Sequence, residues 1–151
     1  AVNVPIEGEL GHIGSTKDGI TTEYTKVDEA VKYVNETGVC ALAIMVGTAH
    51  GHYKQAPKLA IDRIKEIADA TDVALVLHGG SGVGDDQIKE AIKAGITKIN
   101  FGTDVCCSFL NTVFDTSRDL IAVDLFMKDA IKAVSAFATE KIKLLGAENK
   151  A

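Results

Sequence analysis

Cysteine is scarce in this sequence, and nothing pairs it. The 151 residues hold three, Cys40, Cys106 and Cys107. The number is odd, no pair has metal-ligand spacing, and neighbours such as Cys106 and Cys107 rarely bridge each other. That excludes the disulfide scaffold of a small secreted domain. The expectation is reduced, buried thiols in a cytoplasmic protein. Positive charge is also in short supply. Sixteen Lys and Arg against twenty-one Asp and Glu give a net charge of −5. No basic cluster is present to neutralise a nucleic-acid backbone, so a nucleic-acid partner is excluded. A small cationic site for a phosphorylated metabolite is not. Long hydrophobic runs are missing too. The longest, Cys40–Val46, falls far short of the roughly 20 residues a membrane-spanning helix needs. No signal peptide is visible, so no membrane association is expected. There is no low-complexity segment and no Pro/Gly/Ser linker. An initiator Met is absent as well. The chain opens on Ala-Val-Asn-Val-Pro-Ile, which reads as the middle of an α/β protein cut or processed from a longer one.

What is present is globular. Apolar residues make up 46% and charged residues 25%, enough for a sizeable core in one domain or part of a larger one. Two patterns alternate along the chain. Short Val- and Ile-rich runs occupy Val2–Ile6, Cys40–Val46, Val73–Leu77 and Ile96–Phe101. Bounded by turn residues, they suit strands buried on both faces. Longer amphipathic segments follow. Asp28 is placed to cap a helix over Glu29–Thr37, stopped by Gly38. Leu59, Ile61, Ile64, Ile67 and Ala68 share one face of a second. Asp85 opens a third, Gln87–Ala94, closed by Gly95. A fourth covers Val105–Phe114. A fifth, near Leu125–Leu145, carries Ile131, Val134, Ala138, Ile142 and Leu145 at helical spacing.

The βαβαβαβα order predicts a parallel sheet with right-handed crossovers. It fits an open doubly wound sheet or part of a (β/α)₈ barrel. In both, function gathers where strands end and helices begin. The first strand runs into Glu7-Gly8-Glu9-Leu10-Gly11, with both carboxylates on one side. Such a pair is costly inside a barrel unless hydrogen-bonded, paired or metal-bound; a charged edge strand is the plainer reading. The second ends in Gly47-Thr48-Ala49-His50-Gly51-His52-Tyr53-Lys54. A lone strand-end histidine is more often structural than a ligand. Here small residues flank His50 and Lys54 follows with positive charge, while His52 is out of phase. The third ends in Leu77-His78-Gly79-Gly80-Ser81-Gly82-Val83-Gly84, a glycine-rich turn whose backbone N–H groups suit phosphate. It is not a G-x-G-x-x-G dinucleotide motif. The fourth ends in Asn100-Phe101-Gly102-Thr103-Asp104, able to bind a sugar phosphate or simply cap a helix. Together, two histidines at neighbouring strand ends can converge on one metal, and imidazole suits Zn²⁺. Beside a phosphate cradle, that combination points to polarisation of a carbonyl in a phosphorylated sugar.

These motifs, Glu7-Gly8-Glu9-Leu10-Gly11, Gly47 to Gly51, Leu77 to Gly82 and Lys98 to Asp104, resemble those of the class II fructose-bisphosphate and tagatose-bisphosphate aldolases. The resemblance covers nearly the whole chain in order and spacing. It implies the C-terminal half, four βα units, of a (β/α)₈ TIM barrel, forming one partial domain. It implies His50 and His78 as two of three zinc-binding histidines. Glu9 matches an acidic position of the metal site and a candidate catalytic group. Gly51, Gly79, Gly80 and Ser81, with Asn100, Phe101, Gly102 and Thr103, match positions that bind dihydroxyacetone phosphate. Lys54 sits where a phosphate contact is expected in tagatose-type members. A monovalent cation, Na⁺ or K⁺, is implied near Gly51 and Gly79. The implied reaction is reversible aldol cleavage of a ketose 1,6-bisphosphate, in a dimer or tetramer. Two departures stand out. The third histidine and the catalytic Asp of the family belong to an earlier half-barrel. The loop after Gly14 reads Ser15-Thr16-Lys17-Asp18, without the usual glutamates. Taken alone, the chain is therefore expected to bind zinc or sugar phosphate, or to pair with a partner, without turnover.

Overall fold

The structure is a computed structural model that describes residues 4–11, 23–51, 53 and 56–150. The expectations for the loop Ser15 to Asp18, His52 and Lys54 lie outside these residues. The described chain forms two compact units, residues 1–101 and 102–151.

The first unit holds strands β1 (Glu7–Leu10), β2 (Ala41–Ile44), β3 (Ala74–Leu77) and β4 (Ile96–Ile99). Between them lie helices α1 (Val27–Thr37), α2 (Ile61–Ala70) and α3 (Asp85–Ala94). All strand pairings are parallel, in the order β1-β2-β3-β4. The order never reverses, so there is no switch point of the doubly wound kind. It is the order of consecutive units in a (β/α)₈ barrel.

The register sorts side chains between two faces. Gly8, Leu42 and Leu75 pair across the sheet, and Leu75 pairs with Ile96. A side chain at Gly8 would lie 2.8 Å from the Tyr33 ring of α1, so this row faces the helices. Leu42, Ile44, Leu75 and Leu77 are buried there, as are Ala30, Ile64, Ile67, Ile88 and Ala91 of the helices. Each fully buried Leu or Ile contributes about 1.5–3 kcal/mol. The opposite row runs Glu9, Ala43, Val76, Lys98. Successive residues alternate faces, so Glu7 and Ala41 share that side.

Several element ends differ from the sequence expectation. The first described strand is Glu7–Leu10; of the run Val2–Ile6, the described residues 4–6 lie outside it. The ladder with β2 runs from Glu7↔Ala41; Ile6 O accepts from Cys40 N–H at 3.0 Å just ahead of it, and the Val4 and Ile6 side chains are exposed. Helix α1 starts at Val27 with Lys26 as its N-cap. Asp28 is no cap but lies in the first turn with Glu29, where negative charge favours the helix dipole. Gly38 ends this helix as expected, its N–H donating to Val34 O at 2.9 Å. Only β2 and β3 are buried on both faces; β1 and β4 carry polar residues on the inner row.

The second unit contains α4 (Thr103–Asp115) and α5 (Val123–Leu144), which pack on each other. The stripe expected on α5 is only partly the buried one. Val134 and Leu145 are half-buried, but Ile131, Ala138 and Ile142 are exposed, whereas Ala130 is fully buried and Phe126, Ala133 and Phe137 are half-buried. Helix α5 is apolar around much of its circumference, so helical period alone does not select a face. The thiols also depart from expectation. Cys40 and Cys106 are exposed and Cys107 is half-buried. Cys40 precedes β2, and α4 buries no residue fully. No described helix is long and apolar enough to cross a membrane.

Candidate active site

The inner row of the first unit carries a charged cluster at the strand ends. His78 follows β3 directly and is largely shielded, with 16% of its side chain exposed. A carboxylate meets each of its ring nitrogens. Glu7 Oε1 lies 3.0 Å from Nε2, and Glu9 Oε2 lies 2.7 Å from Nδ1. Glu7 has a second partner: Lys98 Nζ donates to its Oε2 at 2.6 Å. Lys98 comes from β4, at the far side of the sheet from β1. A flat four-stranded sheet would separate these backbones by about 14 Å. The ion pair forms because the sheet curls toward this face, as a barrel wall does.

His50 follows β2 and is exposed. Its ring centroid is 6.3 Å from that of His78, with the planes inclined by 31°. Two imidazoles on one tetrahedral zinc, with Zn–N near 2.0–2.1 Å, would place their centroids about 5 Å apart. The two rings stand about 1 Å wider than that. In donor chemistry the set fits zinc: two imidazoles and the Glu9 carboxylate. Among the described residues no three groups close into a complete metal cage.

The loops behind the two histidines are locked together. A side chain at Gly79 would come within 2.8 Å of Ala49 O, and one at Gly80 within 2.6 Å of Ile99 Cγ2. Gly80 N–H donates to Asn100 O at 3.0 Å, and Asn100 N–H to Leu77 O at 3.0 Å. The Gly80 N–H is thus engaged by protein; this glycine supplies close approach rather than a donor. Tyr53 ties the same loops. Its hydroxyl lies 2.6 Å from both Ala49 N and Ala49 O, and 3.2 Å from Gly79 O. Burial pushes its phenol pKa up, so it remains a neutral donor. Ser81 is buried and Gly51 half-buried, while Phe101 is half-buried and Asn100 exposed at the end of β4. Gly102 and Thr103 belong to the second unit, as N-cap and first residue of α4. Thr48 Oγ1 is buried with no hydrogen-bond partner among the described residues, and its Cβ lies 3.2 Å from the position a Gly79 side chain would take.

Sequence reasoning carried Glu9 into the site and left out Glu7, Lys98 and Tyr53. The alternation of Glu7 with Glu9 was the available signal for the first. Lys98 stands in the Lys98 to Asp104 motif without a role assigned to it, because its partner lies 91 residues away.

Lys98, and after it His78, hold the Glu7 carboxyl below its ordinary value of 4.5 by hydrogen bonds to its charged form. A depressed folded pKa stabilises the fold above the unfolded value, and that stability disappears as pH falls through the folded one. Urea midpoints should therefore fall more steeply below pH 4.5 for the native protein than for Glu7→Gln. Parallel losses in the two proteins would show that Glu7 is not held as a carboxylate.

A parallel β/α scaffold with paired imidazoles, a carboxylate and a glycine-locked loop beyond its strands has the layout of the (β/α)₈ class, whose functional loops follow the strands. Sequence comparison gives the family. The class II fructose-bisphosphate aldolase profile matches residues 1–150, and the chain belongs to that family. It is 40% identical over 156 residues to the 6-phospho-5-dehydro-2-deoxy-D-gluconate aldolase of Shouchella clausii, covering 100% of this chain and 53% of that protein. It is 39% identical over 160 residues to the sulfofructosephosphate aldolase of Alkalicoccus urumqiensis, covering 96% and 53%. The crystal structure of the YdjI aldolase from Escherichia coli K12 matches with a TM-score of 0.84 at 38% identity, over 98% of this chain and 52% of that one. The chain spans about half the length of the curated relatives it matches. Its four βα units are half of a (β/α)₈ barrel.

Proposed function

We propose that the protein containing this chain carries out zinc-dependent, reversible aldol cleavage of a ketose 1,6-bisphosphate, fructose or tagatose, to dihydroxyacetone phosphate and glyceraldehyde 3-phosphate. The observation that carries this reading is the pairing of His50 with His78, ring centroids 6.3 Å apart, with Glu9 Oε2 2.7 Å from Nδ1 of His78. His50 and His78 would hold the metal, and Glu9 adds a carboxylate as a further ligand or a holder of the substrate proton. When bound, zinc supplies Lewis-acid stabilisation of the negative charge that develops on the substrate's ketone oxygen. No lysine imine is required. Gly51, Gly79, Ser81 and the segment from Asn100 to Thr103 would orient the phosphate end, with Lys54 adding charge. Gly80 would bring the backbone close.

A monovalent cation, Na⁺ or K⁺, near Gly51 and Gly79 belongs to the same proposal. Its support is Thr48 Oγ1, a buried oxygen beside Gly79 with no hydrogen-bond partner among the described residues. Leaving such a group unsatisfied costs about 1–3 kcal/mol, and hard cations take oxygen ligands. The family also implies a cytoplasmic homo-oligomer working on sugar phosphates.

The names of the relatives widen the substrate question, since they specify a 6-phospho-5-dehydro-2-deoxy-gluconate and a sulfofructosephosphate. Product analysis decides it. The full-length protein, given each of these ketose phosphates in turn, should release dihydroxyacetone phosphate from a bisphosphate fastest. A clear preference for another member of the set would replace the substrate. Turnover that persists after thorough chelation would remove the zinc.

A further inference from the structure

The two carboxylates at His78 have unequal surroundings. Glu7 uses both oxygens, one on His78 Nε2 and one on Lys98 Nζ. Its side chain is 29% exposed and spans from β1 toward β4. Glu9 meets Nδ1 through one oxygen and is 43% exposed. A neutral imidazole carries one proton, whereas carboxylates only accept. Both contacts are satisfied together only if the ring is charged, or if a cation replaces the proton at one nitrogen. The nitrogen whose carboxylate is pinned is the one that keeps its proton.

We infer that Glu7 and Lys98 form a positioning pair. Lys98 anchors Glu7, and Glu7 accepts the Nε2–H of His78. That fixes the tautomer and turns Nδ1, with Glu9 beside it, toward the metal. The inference rests on the metal reading proposed above. It also gives Lys98 a task that its charge alone would not predict. Two free carboxylates beside two histidines would compete for one cation. Lys98 removes Glu7 from that competition and leaves Glu9 available. Metal-ligating histidines commonly donate their second N–H to a carboxylate, and loss of such a partner costs about 10- to 100-fold in metal affinity.

The test measures zinc affinity of the full-length protein by chelator competition, together with the ¹⁵N shifts of the His78 ring in the zinc-loaded state. The native ring should be protonated at Nε2. Glu7→Ala should weaken zinc binding about 10- to 100-fold, and Glu7→Gln, which keeps an acceptor oxygen, should weaken it less. Lys98→Met is the discriminating variant. Removing a positive charge near a cation site should by itself tighten zinc binding. The positioning role requires the reverse: weaker binding, partly restored in Lys98→Arg. Tighter or unchanged binding in Lys98→Met overturns the inference, as does a zinc-loaded ring protonated at Nδ1. If Lys98→Met does not fold, Glu7→Ala against Glu7→Gln decides, and equal affinities there overturn it too. Failure of the metal reading looks different: the native protein binds no zinc, or His78→Ala binds it unchanged.

Discussion

On the proposed zinc-dependent cleavage, replacing His78 with alanine should lower aldol turnover of the full-length protein about 10³-fold or more and release the metal. A Lewis-acid contribution of several kcal/mol disappears with the metal, and each 1.36 kcal/mol is a factor of ten in rate. The variant also removes the ring whose Nε2 lies 3.0 Å from Glu7 and whose Nδ1 lies 2.7 Å from Glu9. Two carboxylates on one face of β1 are then left with Lys98 alone to offset their charge. His50→Ala should act in the same direction, as the second imidazole of the pair. Metal content by elemental analysis and steady-state cleavage rates check both. Full zinc occupancy with turnover above a tenth of native would take His78 out of the ligand set. Intact far-UV circular dichroism separates loss of metal from loss of fold.

Gly47→Ala should be among the most destabilising single-methyl additions available in this chain. Gly47 has φ of +109°, and a Cβ there would sit 2.5 Å from Lys58 O, a backbone atom. That φ lies well outside the left-handed region that other residues enter at a cost of about 1–2 kcal/mol. Forcing a methyl into filled space adds roughly 1–3 kcal/mol. The neighbouring segment has little room to yield, because Ala60 N–H donates to Val46 O at 2.9 Å and Leu59 N–H donates to Gln87 Oε1 at 2.7 Å. The expected loss is about 3 kcal/mol or more, read from urea midpoints. Because Gly47 begins the turn that carries His50, zinc affinity should fall along with stability. A midpoint within experimental error of native would show that the turn adapts and that the close approach is not required.

Much of the fold was legible because short-range patterns encode it. The alternation of Val- and Ile-rich runs with amphipathic segments gave four strands and five helices in the observed order. Gly38 and Gly95 mark the ends of α1 and α3 because each supplies a positive φ at a helix stop. Boundaries that depend on a distant partner were less legible. The run Val2–Ile6 has strand chemistry, yet β1 begins at Glu7, where the ladder with β2 starts. The buried face of α5 was not readable either. Helical period identifies stripes, but packing on α4 chooses Phe126, Ala130 and Phe137 over Ile131 and Ile142.

The candidate site divides the same way. The sequence by itself determined which residue types stand at the strand ends: Glu9 on β1, His50 after β2, the His78 glycine turn after β3 and Asn100 after β4. That follows from the period of two in a strand and from the βα order, both local properties. Only the tertiary structure decided which of them meet. It set His50 and His78 with ring centroids 6.3 Å apart. It also gave His78 a carboxylate at each nitrogen and brought Lys98 across the sheet to Glu7. Those contacts join residues as many as 91 positions apart. They exist because four parallel strands pair in sequence order and curl toward one face, a geometry that no local segment specifies.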